Sequence, residues 1–380
     1  CRFFPVGHTV AKHGRDIVAD AEPTRRTMAR ATSFLSAQDR SGWLLHESHP
    51  NTTLCSDPLE SMRSGVWKHG ADAICSSRQP ALRVLCSSNA SDVHASIKYA
   101  QGEVRDTRER GLLWRAANCS LRHFSAAAAC KLLREAGGML AIGDSTMRHL
   151  FMGFLSVLSD DYERGAVSQE ALQRSETLRR ASNDTTVKCQ GDLQFSSNLC
   201  RHVRDLATSP IGHCPDAALR FAEIRHAPDL ERALREPSSS KDAVQLAEWL
   251  NAAPSRSYVL VRLGVHENFN ASAVESALRA VFARLPTARR LRLLFVAPSA
   301  VGPAKPKQYL FTQGNLPVMN FTQRLRGFCH ENGCTLADPF EVSRGAHSFD
   351  GTHYGMELNV LLAHVLLNFF ARDSGMRSFR

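Results

Sequence analysis

The stretch "GGMLAIGDSTMRHLF", residues 137–151, decides the reading of the fold. Its first seven residues are a mostly apolar run bounded by glycine, the pattern of a buried strand. After Gly143-Asp144-Ser145 the spacing becomes helical. Met147, Leu150, Phe151, Phe154, Leu155 and Leu158 fall at i, i+3, i+4, i+7, i+8 and i+11, one apolar stripe. A strand that turns into a helix this abruptly leaves Ser145 at the carboxyl edge of a sheet. Two readings of the serine stand open. It caps the helix, as Ser, Asp and Asn do at most helix starts, or it is a nucleophile held out at that edge.

Working outward, the same alternation repeats. "LRFAEIR" (219–225) reads as a second, weaker strand and "SYVLVRLG" (257–264) as a strong third. The helix after it opens on Ser272-x-x-Glu275, a capping-box pattern. "LRLLFVAPS" is a fourth strand, followed by a helix near 319–331, and "CTLADPF" is a short fifth. The long apolar stretch 358–370 closes the chain as a helix. Strands alternating with helices imply a parallel sheet covered on both faces, the α/β class. In such sheets ligands bind beyond the carboxyl ends of the strands, where Ser145 is expected.

The first 110 residues lack this regularity. Polar residues and cysteines interrupt short apolar pieces, so 1–110 reads as an irregular, disulfide-pinned segment and 111–380 as the catalytic domain. With 380 residues, 43% of them hydrophobic and 22% charged, the chain can bury a real core. Its net charge of +10 would suit a polyanion. The basic residues are dispersed, however, and no nucleic-acid-binding signature accompanies them, so no nucleic-acid partner is expected.

Eleven cysteines include no C-x-x-C pair, which argues against zinc-ribbon and thioredoxin-type sites. Sequons stand at Asn51, Asn89, Asn118, Asn183, Asn270 and Asn320, where chance would supply about two. Cysteines and sequons together point to the secretory pathway (the Golgi lumen) or the extracellular space, with several disulfides and one thiol left over. No signal-peptide h-region is visible, which reads as a mature or trimmed chain. The longest apolar run is too short to cross a bilayer, so a membrane anchor is expected only outside this sequence. No His-Glu-x-x-His, P-loop or Gly-x-Gly-x-x-Gly occurs, so neither metal nor cofactor is expected. The absence of Gly-x-Ser-x-Gly argues against an α/β-hydrolase.

The second chemical motif is "SFDGTHYG" (348–355). Asp350 and His353 share one tight turn just before the last helix. A serine nucleophile needs a base within hydrogen-bond reach, and that base needs a carboxylate to set its tautomer. One Asp-x-x-His turn can supply both. The plain alternative is that Asp350 caps the last helix and His353 is a surface residue.

"AIGDSTMRHLF" together with "FDGTHYGMELNVLLAHVLLNFF" resembles the SGNH/GDSL hydrolase superfamily, and more narrowly its PC-esterase branch. That branch includes the trichome-birefringence-like O-acetyltransferases, the luminal domain of the sialic-acid O-acetyltransferase, and the neurexophilin-and-PC-esterase proteins. The lead-in "LLWRAANCSLRHFS", with Trp114, Cys119 and Phe124, adds to the likeness, which covers about 111–370. The resemblance implies a three-layer, flavodoxin-like SGNH fold with a parallel sheet of about five strands. It implies Ser145 as nucleophile, His353 as general base and Asp350 as orienting acid.

The oxyanion hole would use the backbone N–H of Ser145. Superfamily members add a glycine after the second strand and an asparagine in G-x-N-D after the third. This chain has no obvious glycine after "LRFAEIR" and reads "RLGVHENF" after the third strand. Gly264 and His266 stand in the family positions there, with Asn268 as a fallback. Arg148 is a candidate ligand for an anionic sugar or acyl group, and equally a structural ion pair. Gly143 and Asp144 are expected to stabilise the turn; His149 and Tyr354 carry no assigned role. The implied activity is transfer of an acyl group, through an acyl-serine, on glycan O-acetyl groups. The implied partner is a glycan or polysaccharide, an acidic one among the options, with an acetyl donor the sequence does not identify. O-acetyltransferase, O-acetylesterase and a non-catalytic glycan-binding protein with the same fold all remain open.

Overall fold

The fold is described from a computed structural model, which covers residues 54–69, 112–116, 119, 121–122, 124–161, 164–182, 189, 193–196, 206, 214, 218–238, 241–285, 291–344, 346 and 348–375. Its centre is a five-stranded sheet: β3 (Met139–Gly143), β4 (Leu219–Glu223), β5 (Tyr258–Arg262), β6 (Arg292–Val296) and β7 (Thr335–Ala337). The spatial order is β4-β3-β5-β6-β7 and every pairing is parallel. Counted from β3, this is the 2-1-3-4-5 order of flavodoxin-like folds, which places β3 at the topological switch point.

Alternation along the strands divides the core into two layers. Met139 and Ala141 join Leu260, Leu294 and Val296 on one face, under the helices α1 (Ala126–Glu135), α2 (Ser145–Ser159) and the C-terminal helix. Leu140 and Ile142 join Val259, Val261 and Phe295 on the other, under α4 (Ala227–Arg235), α5 (Lys241–Ala252), α6 (Ala271–Arg284) and α7 (Asn315–Asn332). A further helix, α3 (Gln169–Ser182), follows α2, and the C-terminal helix is α8 (Met356–Asp373). The result is a three-layer α/β sandwich.

Helix α2 departs from the single stripe its sequence suggests. Every residue from Thr146 to Leu158 is buried, because α8 covers the side turned away from the sheet. The two helices meet closely: a Cβ on Gly153 would lie 2.4 Å from the carbonyl oxygen of Asn359. The capping box after the third strand is also corrected. Asn270 is the N-cap of α6 and accepts from the Ser272 amide at 3.1 Å, while Glu275 pairs with Arg324 of α7 at 2.7 Å.

Within 1–110 the described residues are 54–69. They include a regular strand, β1 (Gly65–His69), antiparallel to β2 (Leu112–Ala116). Leu59 and Met62 are buried in the same core as α2. Most of that segment, the sequons other than Asn270 and Asn320, and Cys1, Cys75, Cys86 and Cys200 lie outside the described residues. Asn270 and Asn320 are exposed. The disulfides Cys55–Cys119, Cys130–Cys214 and Cys329–Cys334 are formed, and Cys189 is also disulfide-bonded. Among the described residues no helix is long and apolar enough to cross a membrane. The Cys130–Cys214 bridge spans 84 residues, so replacing both cysteines by serine should cost about 2–5 kcal/mol in a urea unfolding measurement. No change in the midpoint would contradict a structural role for the bridge.

Candidate active site

Why Ser145 is held as it is follows from its neighbours. Gly143 ends β3 where a Cβ would lie 2.2 Å from the carbonyl oxygen of Arg262 on β5, so only glycine fits. Asp144 is the N-cap of α2. Its Oδ1 accepts from the Thr146 amide at 2.8 Å and from the Thr146 hydroxyl at 2.7 Å. The capping task therefore falls to Asp144, and the Ser145 hydroxyl is left for something else. It meets His353: Ser145 Oγ and His353 Nε2 are 2.6 Å apart. Losing the Asp144 cap should cost about 1 kcal/mol and up to ~2, so Asp144→Ala should lower the urea midpoint measurably. A midpoint as high as that of the native chain would mean that the cap contributes nothing.

The partner turn is built to hold a ring in place. Ser348 and Tyr354 form an isolated antiparallel bridge, and the Phe349 amide donates to the His353 carbonyl at 2.9 Å. Within that loop Asp350 Oδ1 accepts from the amides of Thr352 and His353 at 2.9 and 2.8 Å, and its Oδ2 lies 2.7 Å from His353 Nδ1. Helix α8 starts from Gly355 with no side-chain cap, so Asp350 is not its cap. Burial pushes the Asp350 carboxyl upward. The hydrogen bond and charge of His353, with the two amides, outweigh that and hold it well below the usual carboxylate range.

A carboxylate can only accept, so His353 Nδ1 carries the proton and Nε2 presents a lone pair to the serine hydroxyl. Serine, imidazole and carboxylate thus form one relay whose geometry would let Ser145 lose its proton as it attacks.

His149 sits directly behind this relay. It is buried, its ring centre is 5.1 Å from that of His353, and its Nδ1 donates to the Tyr354 carbonyl at 3.2 Å. Burial first, then the charges of His353 and Arg148, hold its pKa well below the ordinary histidine value. Folded His149 therefore resists a proton that the unfolded chain accepts near pH ~6.5. Stability should be full above about pH 6.5 and fall progressively as pH drops below it, until the folded value is passed. His149→Gln should flatten that slope in thermal melts; an unchanged slope would place the acid sensitivity elsewhere.

The other expected residues divide. His266 is part-exposed beside the serine turn, with Nε2 3.9 Å from Asp144 Oδ2 and its ring against His226. Gly264 adopts φ +130°, and a Cβ there would meet the Phe321 ring at 2.8 Å. Asn268 is held elsewhere: its Oδ1 accepts from Gln313 Nε2 at 2.9 Å. Of the two roles open to Arg148, the structure forms the ion pair. Its side chain is buried and pairs with Glu223 at the end of β4, at 3.7 Å.

Sequence reasoning missed Arg262 and Lys305. Arg262 resembles any strand-end residue in "VLVRLG", and Lys305 lies in a proline-bearing loop. Both line a small cleft together with Thr146, the residue after Ser145, and Thr352, the residue before His353. Among the described residues no group of three or more His, Cys, Asp or Glu side chains is placed to hold a metal ion.

No family model matches the chain, and no curated protein matches it. Solved structures give faint likenesses. An acetyl xylan esterase, AlAXEase, is 14% identical over 60% of this chain and 97% of its own, with a TM-score of 0.33. Est24, a carbohydrate acetylesterase from Sinorhizobium meliloti, is 13% identical over 62% and 98%, with a TM-score of 0.33. The aryl esterase of M. smegmatis is 14% identical over 62% and 98%, with a TM-score of 0.34. Likeness this faint carries no weight for function.

Proposed function

We propose that this chain is a serine-dependent acyl-transfer enzyme acting on O-acetyl groups of glycans, through an acyl-enzyme at Ser145. The observation that carries the reading is the unbroken relay from Ser145 through His353 to Asp350 at the carboxyl edge of β3. Ser145 Oγ attacks the ester carbonyl carbon while its proton passes to His353 Nε2. The tetrahedral oxyanion forms at the first turn of α2. There the Ser145 N–H is one of the amides a helix start leaves without an intrahelical acceptor, and the helix dipole favours negative charge. We assign His266, which lies beside the Asp144 carboxylate, as the second donor.

Collapse of the intermediate breaks the bond to the sugar oxygen, which takes the proton from Nε2–H. An acceptor hydroxyl then gives its proton to Nε2 and attacks the acyl-serine, and collapse breaks the bond to Ser145 Oγ, which takes that proton back from Nε2–H. Where the acceptor is a sugar hydroxyl the enzyme is an O-acetyltransferase; where it is water, an O-acetylesterase. The resemblance of "GDSTMRHLF" and "FDGTHYG" to the PC-esterase branch of SGNH hydrolases favours the sugar acceptor. Disulfides and surface sequons support a site of action in the secretory lumen or outside the cell.

The test is turnover of an isotopically labelled acetyl glycan with and without an unacetylated glycan acceptor. Label appearing on the acceptor supports transfer, and label released only as acetate makes the protein an esterase. No acetyl movement from any glycan ester would defeat the reading.

A further inference from the structure

Helix α2 grips the turn that carries the base at two points, one helical turn apart. Ser145 and His149 stand at i and i+4, on the same face of α2. Ser145 Oγ meets His353 Nε2 at 2.6 Å, and His149 Nδ1 donates to the carbonyl of the next residue, Tyr354, at 3.2 Å. The helix that carries the nucleophile thus also holds the backbone beside its base. The first contact cannot last through the reaction, because an acylated Ser145 Oγ has no proton to donate to Nε2. The second does not depend on the state of the serine.

The surroundings of His149 keep its ring fixed and uncharged. It is 3% exposed, packs edge-on against Phe195 with ring centres 5.6 Å apart, and lies 5.1 Å from the ring of His353. Burial and the charges of His353 and Arg148 keep it neutral against the opposing pull of the Tyr354 carbonyl and Asp350. No like charge on His149 therefore opposes the imidazolium that forms on His353 during attack. The Tyr354 carbonyl accepts a second bond, from Asn359 Nδ2 of α8 at 2.9 Å, which ties the turn to α8. The His149 bond ties it to α2. Asp350 cannot take over that task, because it rides on the same turn as His353.

We propose that His149 is a positioning residue for the second half of the reaction: through the Tyr354 carbonyl it keeps His353 facing Ser145 while the serine is acylated, so that the base is in place for the acceptor hydroxyl. The proposal rests on the acyl-transfer reading above and assigns a further residue within it. In the free enzyme both contacts join α2 to the turn, and losing one leaves the other. In the acyl-enzyme the His149 contact is the one that remains. Its removal should slow deacylation far more than acylation, since a base displaced by about 1 Å loses much of its effect.

Hydrolysis of para-nitrophenyl acetate separates the two steps, because nitrophenolate leaves on acylation. His149→Leu removes the donor. His149→Asn keeps one, since the amide nitrogen of asparagine stands as many bonds from Cα as Nδ1 does. The Leu variant, or His149→Phe if Leu lowers the urea midpoint sharply, should release a burst of about one equivalent of nitrophenolate. Turnover should then run at a kcat about tenfold below native, with kcat/KM within about threefold. The Asn variant should recover most of the lost kcat. An unchanged kcat, a parallel fall in kcat and kcat/KM, or an Asn variant as slow as Leu overturns the proposal and leaves the relay standing. If the native protein turns over no ester, the acyl-transfer reading has failed and positioning is read without chemistry. Ser145→Ala removes the first contact as acylation does. A nuclear Overhauser contact between the methyl group so introduced at position 145 and the His353 ring should persist in that protein. It should vanish when His149→Leu is added and survive His149→Asn. A contact that survives Leu, or one absent from Ser145→Ala protein with His149 in place, overturns the proposal.

Discussion

Ser145→Ala should abolish transfer and hydrolysis of glycan acetyl esters while leaving the stability of the chain within about 0.5 kcal/mol of native. The two halves of this expectation come from one observation. Asp144 caps α2, and the Ser145 hydroxyl makes its hydrogen bond to His353. Removing that hydroxyl costs the nucleophile and no cap. Loss of the nucleophile in a serine relay lowers kcat by about 10⁶-fold, down to what binding and oxyanion stabilisation alone retain. The paired measurement is kcat on an acetylated glycan and the urea midpoint. A variant that keeps most of its rate, or that unfolds, would return the serine to the structural role its position in the sequence also allowed.

Asp350→Asn should lower kcat by about 10⁴-fold with the fold intact. The carboxylate fixes the Nδ1–H tautomer of His353 by accepting from it at 2.7 Å. An amide can turn its NH₂ toward the ring instead, which moves the proton to Nε2 and removes the lone pair facing Ser145. Charge matters as well, because the imidazolium formed on attack loses its neighbouring anion. Asp350 stays ionised across the range in which histidines titrate, since its pKa is held below the carboxylate norm. The stabilisation from its pairing is present above about pH 4 and is lost as pH falls through the depressed value. Asp350→Asn should therefore also weaken the acid-side loss of stability. A rate within tenfold of native would remove Asp350 from the relay.

Much of the sheet could be read from sequence because its signals are local. A five-residue apolar strand bounded by glycine, followed at once by helical spacing, has few other solutions, and "SYVLVRLG" repeats it. The Asp-x-x-His turn was legible for the same reason, since its own amides and side chains are three residues apart. What joins it to Ser145 is a contact across 208 residues, and only the order of strands brings the two together. The division of labour between Asp144 and Ser145 was not legible, because both residue types cap helices. Burial all round α2 was hidden too, since the stripe on its sequence records the sheet and not α8. Arg262 and Lys305 carry no pattern at all. What sets them apart is their surroundings, since both line one cleft and feel the charges of Asp144 and Asp350. Arg148 shows the converse, a cation near the serine in sequence whose charge is met inside by Glu223.

The central claim is that Ser145 carries the acyl group, and mass spectrometry of the rapidly quenched enzyme tests it most directly. Protein mixed with an acetylated glycan or a reactive acetyl ester is digested and its peptides weighed. The account predicts an added mass of one acetyl group on the peptide containing Ser145, absent from Ser145→Ala protein and much reduced in the His353→Ala variant. An acetyl group found on another residue, or turnover that continues with no acyl-serine in the quenched native enzyme and an active Ser145→Ala variant, would contradict it.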